Sequence, residues 1–174
     1  MGNRTFIAHS PLGEQLEFRS MEGTEQLSRL FEFRVRLLSD SPSISAKSLL
    51  GKDMSIEIDL TTEDAGSGKR FISGQVTQFT YIGRDGDFSA YQAVLRPWLW
   101  HATRRSDFKI FQFKKAPDII KEVLGKYGFS IEDKLMGNYR EWTYMVQYGE
   151  SDFNFVSRLM EQAGIFYFFS PSHG

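Results

Sequence analysis

The sequence predicts a mainly β protein in two parts, an antiparallel β-barrel over residues 1–104 and a small α+β domain over residues 105–174. Three observations carry this. Arg29 to Leu38 reads RLFEFRVRLL, with Phe31, Phe33, Val35 and Leu37 at alternate positions and Glu32, Arg34 and Arg36 between them. A period of two marks a strand with one buried face. Two β-rich runs, Phe71 to Tyr81 and Phe88 to Leu99, flank Asp85-Gly86, a pair suited to the tight primed turn of a hairpin. Beyond residue 100 apolar residues recur at three- and four-residue steps, the spacing of helices.

The first part is read as six strands with hairpin-like connections. Arg4 to His9 is a short strand, closed by the turn signal Ser10-Pro11-Leu12-Gly13. Gln15 to Met21 is a half-exposed strand, interrupted at Gly23-Thr24-Glu25. After the Arg29–Leu38 strand, Ser39 to Ser43 is a loop. Ile44 to Leu50 forms one or two helical turns, capped by Ser43 or Ser45 and stopped at Gly51. Met54 to Leu60 alternates again, and Thr61 to Gly68 is a polar loop. Within the long hairpin, Gly74 suggests a bulge or a close backbone approach, and Pro97 an edge position or a strand end.

The second part opens with a strand at Asp107 to Phe113. Pro117 then starts a helix whose buried face is Ile119, Ile120, Val123, Leu124 and Tyr127, with Gly128 as its stop. Phe129 to Leu135 carries a weaker strand signal, and Gly137-Asn138 a turn. Tyr144 to Tyr148 is a strand with Tyr144, Val146 and Tyr148 on one side and Met145 and Gln147 on the other. Ser151 is the N-cap of the next helix, and Asp152 lies near the positive end of its dipole. Phe153, Val156, Met160 and Ala163 form the buried stripe, widened by Phe155 and Leu159. Gly164 ends the helix, and Ile165 to Phe169 is an apolar run of the kind a sheet buries.

Composition excludes several classes. The chain lacks cysteine, so disulfide scaffolds, thiol nucleophiles and thiolate metal sites are ruled out. Its 21 basic and 22 acidic residues leave a net charge of −1, with no global field to attract nucleic acid. The opening MGNRTFIAHSPLGE has no apolar core of a secretory signal, and no run approaches the ~20 apolar residues of a membrane helix. The aromatic fraction of 15% suits a β-rich core, a large subunit interface, or both.

Chemistry-bearing motifs are sparse. His9, His101 and His173 fall in separate segments with no ligand spacing. Gly66-Ser67-Gly68-Lys69 lacks the length and following helix of a phosphate loop. Arg104-Arg105 and Lys114-Lys115 are short basic pairs of the kind found on solvated surfaces. Trp98 and Trp100 fit sugar stacking, or core and interface anchoring beside Leu95 and Leu99. Glu150, Asp152 and Glu161 are acid/base candidates only if a pocket brings them together. No catalytic, cofactor or metal site is expected, and the residues point to a scaffold or binding module.

Three long stretches carry a family resemblance. HSPLGEQLEFRSMEG with its following strands, LRPWLWHATRRSDFKIFQFKKAPDIIKEVLGKYGF, and ESDFNFVSRLMEQAGIFYFF occur in an order that resembles the valine-glycine repeat (VgrG) family. Its members are spike hubs of the type VI secretion system, similar to the tail-hub protein of contractile phages. The resemblance implies that the barrel is similar to the subunit of the inner-tube ring. It implies a non-enzymatic structural part of a homotrimer that caps the tube, with the inner-tube ring protein, baseplate proteins and effectors or adaptor proteins as partners. No cofactor, nucleic acid or membrane span is implied. Such a protein assembles in the cytoplasm and leaves through the type VI system without a signal peptide. The sequence ends at SPSHG, where family members continue into a second barrel, an oligosaccharide-binding-type domain and a β-helical needle. The α+β domain is therefore expected to be truncated at its C-terminal end.

Phe31, Phe33, Trp98, Trp100 and Phe153 are the expected interface anchors. One alternative is a hub protein of a prophage contractile tail. The other is a glycan-binding or hydrolytic module using Glu150 and Asp152, which requires both carboxylates to share a concave pocket with Trp142.

Overall fold

A computed structural model describes residues 6–60 and 68–170. The chain forms two compact units, one reaching to Pro97 and resumed at Phe169, the other Trp98–Phe168. The division falls after Pro97, ahead of the expected 104/105. The 3₁₀ segment Trp98–Arg104 buries Leu99 and Ala102 within the second unit.

The first unit is one six-stranded antiparallel sheet. Its strands are β1 (Phe6–His9), β2 (Glu17–Thr24), β3 (Glu32–Ser39), β4 (Asp53–Asp59), β5 (Lys69–Asp85) and β6 (Phe88–Arg96), in the spatial order β1-β4-β5-β6-β3-β2. The sheet curls into a half-barrel. Phe6 of β1 stacks on Phe18 of β2 with centroids 5.1 Å apart, so ring packing draws the two edge strands together. Alternation decides the inside. Phe33, Val35 and Leu37 of β3 are buried while Arg34 and Arg36 are exposed. β6 lies between β5 and β3, and almost every residue from Ser89 to Leu95 is buried. At its centre Tyr91 stacks on Phe79 at 5.1 Å. Its hydroxyl donates to the Ser41 carbonyl at 2.9 Å and accepts from the Ile44 N–H at 3.2 Å.

Several local expectations shift by a residue or two, for steric reasons. The hairpin turn is Gly86-Asp87, because Asp85 still pairs with Phe88. Only Gly86 takes a positive φ, +63°, which is the pattern of a primed turn with glycine first. Gly74 is a close approach and not a bulge, since an added Cβ would lie 3.0 Å from the Arg96 carbonyl oxygen. The bulges of β5 fall at Val76/Gln78 and Tyr81/Gly83. In the first of them Thr77 Oγ1 donates to the Val94 carbonyl and accepts from Arg96 Nη1 at 2.8 Å. Gly23 does not interrupt β2. It lies over β3, where a Cβ would sit 2.4 Å from both the Glu32 carbonyl oxygen and the Phe33 ring. Glu32, which alternates with the buried residues of β3, accepts twice from the Arg96 guanidinium, which holds its carboxyl below the usual range. The polar loop expected over 61–68 lies, apart from Gly68, outside the described residues.

The second unit is a two-stranded antiparallel ribbon, β7 (Ser106–Lys115) and β8 (Glu141–Ser151), with helices α1 (Ala116–Leu124) and α2 (Asp152–Ala163). Pro117 stands in the first turn of α1, and Gly128 ends the following 3₁₀ turn with φ +72°. The Ser151 hydroxyl caps α2 by accepting from the Asn154 N–H at 3.1 Å, and Gly164 closes it with φ +67°. Phe155, Val156, Leu159 and Met160 are buried, while Phe153 and Ala163 are only half-buried.

Two expected strands are absent. Phe129 to Leu135 forms no ladder, because the Asp133 carboxylate turns back to the Leu135 N–H at 2.8 Å and pairs with Lys121. A local side-chain bond of this kind competes with sheet pairing. Ile165 to Phe169 keeps a period of two but is a strand of neither sheet. Ile165, Tyr167 and Phe169 are half-buried, while Phe166 and Phe168 are 64% and 63% exposed.

Candidate interaction surface

The β7–β8 register pairs Phe108 with Tyr148, Ile110 with Val146 and Gln112 with Tyr144. Side chains alternate across a strand, so these six share one face and Phe111, Met145 and Gln147 share the other. The inner face is fixed by packing. Phe111 stacks on Phe155 of α2 at 5.5 Å, and Met145 and Gln147 are buried.

A buried polar cluster locks the end of β8 to the start of α2. Asp152 is wholly buried; its carboxylate accepts from Tyr127 Oη at 2.7 Å and from Gln147 Nε2 at 2.7 Å. Gln147 Nε2 also donates to the Glu150 carbonyl, and the Asp152 N–H donates to the Arg105 carbonyl at 2.8 Å. Burial, and then the Asp152 carboxylate, push the Tyr127 hydroxyl above the usual tyrosine range. Asp152 is therefore the acceptor that organises this junction, beyond the dipole role read from sequence.

With the inner face committed, the outer face is left open. Phe108 is 71%, Ile110 63%, Tyr144 66% and Tyr148 80% exposed, and no charged residue interrupts the six. The Phe108 and Tyr148 rings meet edge to face at 5.2 Å. Gly149 lies beneath Phe108, where a Cβ would come within 3.0 Å of the ring. Arg158 lies along β8, donating to the Val146 carbonyl at 3.2 Å and pairing with Glu150 at 2.5 Å. Phe113 in β7 takes a φ of +49°. A charged side chain along one strand and an irregular backbone in the other discourage further strand addition, so what is offered is the face.

The residues expected as anchors lie elsewhere. Phe31 and Phe33 are 4% and 6% exposed in the core of the first unit, and Phe31 meets Phe169 edge-on at 5.4 Å. Both rings are enclosed by their own chain, which corrects their assignment as interface anchors. Trp98 is half-buried and stacked on Phe129 at 5.1 Å. Trp100 is half-buried beside His101, with the Arg104 guanidinium 5.8 Å above its ring. Phe153 is half-buried in the first turn of α2. The sequence did show the alternation of Tyr144, Val146 and Tyr148. Period alone does not say which face is inside, and here a glutamine is buried while two tyrosines are exposed.

A cleft of about 360 Å³ is lined by Trp142, Arg140, Tyr139 and Gln162 among others, but by neither Glu150 nor Asp152. Glu150 is engaged by Arg158, and Asp152 is buried. Lys114 and Lys109 both bind Glu122, whose pKa they hold down to about 2. His9 bonds Glu57, which also pairs with Lys69 at 2.5 Å. Among the described residues no group of three acidic or histidine side chains has the geometry of a metal site. His173 lies outside them. No helix among the described residues is long and apolar enough to cross a membrane.

The sequence model of the phage tail baseplate hub family matches residues 24–174. The chain is 49% identical over 162 residues to the type VI secretion system spike protein VgrG1c of Pseudomonas aeruginosa, covering 92% of this chain and 22% of that protein. Against VgrG1a of the same organism identity is 47% over 161 residues, covering 91% and 24%. The chain thus spans about a quarter or less of the length of these curated relatives. In structure it is similar to the E. coli c3393 protein, described as a component of the type VI secretion system with structural similarity to the T4 tail proteins gp27 and gp5. That match has a TM-score of 0.75 at 28% identity, covering 89% of this chain and 42% of the other. A 43 kDa tail protein of prophage MuSo2 from Shewanella oneidensis shares the fold alone, with a TM-score of 0.56 at 13% identity, covering 93% and 49%.

Proposed function

The chain belongs to the phage tail baseplate hub family, and from that membership we propose that it forms the first part of a type VI secretion spike hub. The observation that carries this reading is near-half identity to spike proteins along nine-tenths of the chain. A half-barrel and an α+β unit that match a component of the same system support it. In this reading three copies assemble as the collar that caps the inner tube. The partners are the tube-ring protein, baseplate proteins and effectors or their adaptors. Assembly takes place in the cytoplasm, and export follows the tube through the contractile system without a signal peptide. The chain acts by assembly, with no catalysis and no cofactor of its own. Two features are consistent with that: Glu150 and Asp152 are engaged in structural contacts, and the cleft beside Trp142 lacks both.

A graft tests the reading. The matching segment of VgrG1c is replaced by this chain, and release of the tube-ring protein into the medium is measured. Retained release is expected. Loss of release from a chimera expressed at normal level would refute the type VI assignment. The second reading, a prophage tail hub, is favoured by the family description itself. It predicts that failure, together with rescue of particle assembly when the segment is placed in a phage tail hub.

A further inference from the structure

We propose that the cleft beside Trp142 receives a peptide segment of a partner protein, held by a glutamate or aspartate side chain on Arg140. The cleft lies wholly within the second unit. Its chemistry is the same in a secretion spike or a phage tail, so the site stands apart from the hub reading.

Separate segments build it. The stretch before β8 supplies Asn138, Tyr139 and Arg140, β8 itself supplies Trp142, and the last turn of α2 supplies Gln162. Ala116, Leu159 and Ala163 give it an apolar lining, and two of these three are too short to fill the space. At about 360 Å³ the cleft falls within the ~300–1,000 Å³ of ligand sites.

Arg140 sets the sign. Among the described residues lining the cleft it alone is charged. Its guanidinium carbon lies over the Trp142 ring, 4.7 Å from the centroid. Stacking uses the flat face of a guanidinium and leaves its in-plane N–H fork for a carboxylate. Among the described residues no carboxylate takes that fork, whereas Arg34, Arg96 and Arg158 each pair with a glutamate. Glu141 and Glu161 adjoin lining residues in sequence, but neither lines the cleft. Glu141 stands opposite Lys115 in the ribbon, so those two charges offset each other. The stack also occupies a ring face that a sugar would use, which favours a carboxylate over a glycan.

The other groups fit a peptide around that carboxylate. Asn138 and Gln162 are exposed and make no side-chain hydrogen bond among the described residues. A side-chain amide carries both a donor and an acceptor, the complement of a peptide bond. The apolar lining takes the side chain next to the acid. Tyrosine, tryptophan and arginine dominate binding hot spots, and Tyr139, Trp142 and Arg140 meet at this one cleft.

The test is a heteronuclear NMR titration of the 174-residue chain with acetyl-Leu-Glu-Leu amide, and with acetyl-Leu-Gln-Leu amide as its uncharged match. The glutamate peptide should move the Trp142 indole N–H and Arg140 Nε–H signals. It should bind about tenfold or more tightly than the glutamine peptide, the worth of a charge-assisted hydrogen bond. Arg140→Gln should erase that preference. Arg104→Gln, at another arginine lying over a tryptophan, should keep it. Stillness of both signals up to about 10 mM glutamate peptide, where even weak specific binding is visible, overturns the proposal. So do equal binding of the two peptides, an unchanged preference in Arg140→Gln, or its loss in Arg104→Gln. Sodium acetate that moves both signals at the same concentrations would show a site for a free carboxylate only, and overturns it too. None of these outcomes bears on tube-protein release by the graft, which tests the hub reading separately.

Discussion

Replacing Asp152 by alanine should destabilise the second unit by about 3 kcal/mol. The carboxylate is wholly buried and accepts from Tyr127 Oη and Gln147 Nε2, both at 2.7 Å. Without it the half-buried Tyr127 hydroxyl loses its bond to a charged acceptor, worth about 1.5–3 kcal/mol. Gln147 keeps its bond to the Glu150 carbonyl, so its loss is smaller, about 0.5–1.5 kcal/mol. Removing a negative charge from the first turn of α2 adds about 0.3–1 kcal/mol. Urea unfolding followed by far- and near-ultraviolet circular dichroism measures the sum. With a slope of about 1–3 kcal/mol/M, the midpoint should fall by roughly 1–3 M. Asp152→Asn should lose less, since its carbonyl still accepts from Tyr127. A midpoint within about 0.3 M of wild type for Asp152→Ala, on that slope, would refute the claim that this junction holds β8 to α2.

Two further outcomes follow from the same geometry. Glu122 is held at a pKa of about 2 by hydrogen bonds from Lys109 and Lys114, so its contribution is present above its ordinary value of 4.5 and lost as pH falls from there towards 2. Glu122→Gln should flatten that limb of an acid-unfolding curve, and raised salt should shrink the difference because the group is one-third exposed. Among glycines, Gly23→Ala should damage the β2–β3 pair more than Gly164→Ala damages α2. A Cβ at Gly23 strikes backbone at 2.4 Å, whereas Gly164 has open space and bears only the left-handed backbone penalty of about 1 kcal/mol. Thermal unfolding of the two variants ranks them, and the reverse order would show that β2 yields at its end.

What the linear chain determined is largely what local physics determines. Alternation in RLFEFRVRLL made β3, Ser151 and Gly164 bounded α2, Pro117 and Gly128 bracketed α1, and Pro97 stopped β6. Each of these depends on neighbours a few residues away, so it can be read without the fold. The outcomes that differed depend on partners far along the chain. Whether Ile165–Phe169 joins a sheet depends on a neighbouring strand, and it is a strand of neither sheet. Whether Gly23 breaks a strand depends on Phe33 across the sheet. The most consequential case is the ribbon. A period of two divides Tyr144, Val146 and Tyr148 from Met145 and Gln147 but is symmetric between inside and outside. Hydropathy would have hidden the tyrosines. Tertiary structure chose otherwise, because burying Gln147 supplies Asp152 with a donor at the start of α2. That choice left Phe108, Ile110, Tyr144 and Tyr148 facing outward.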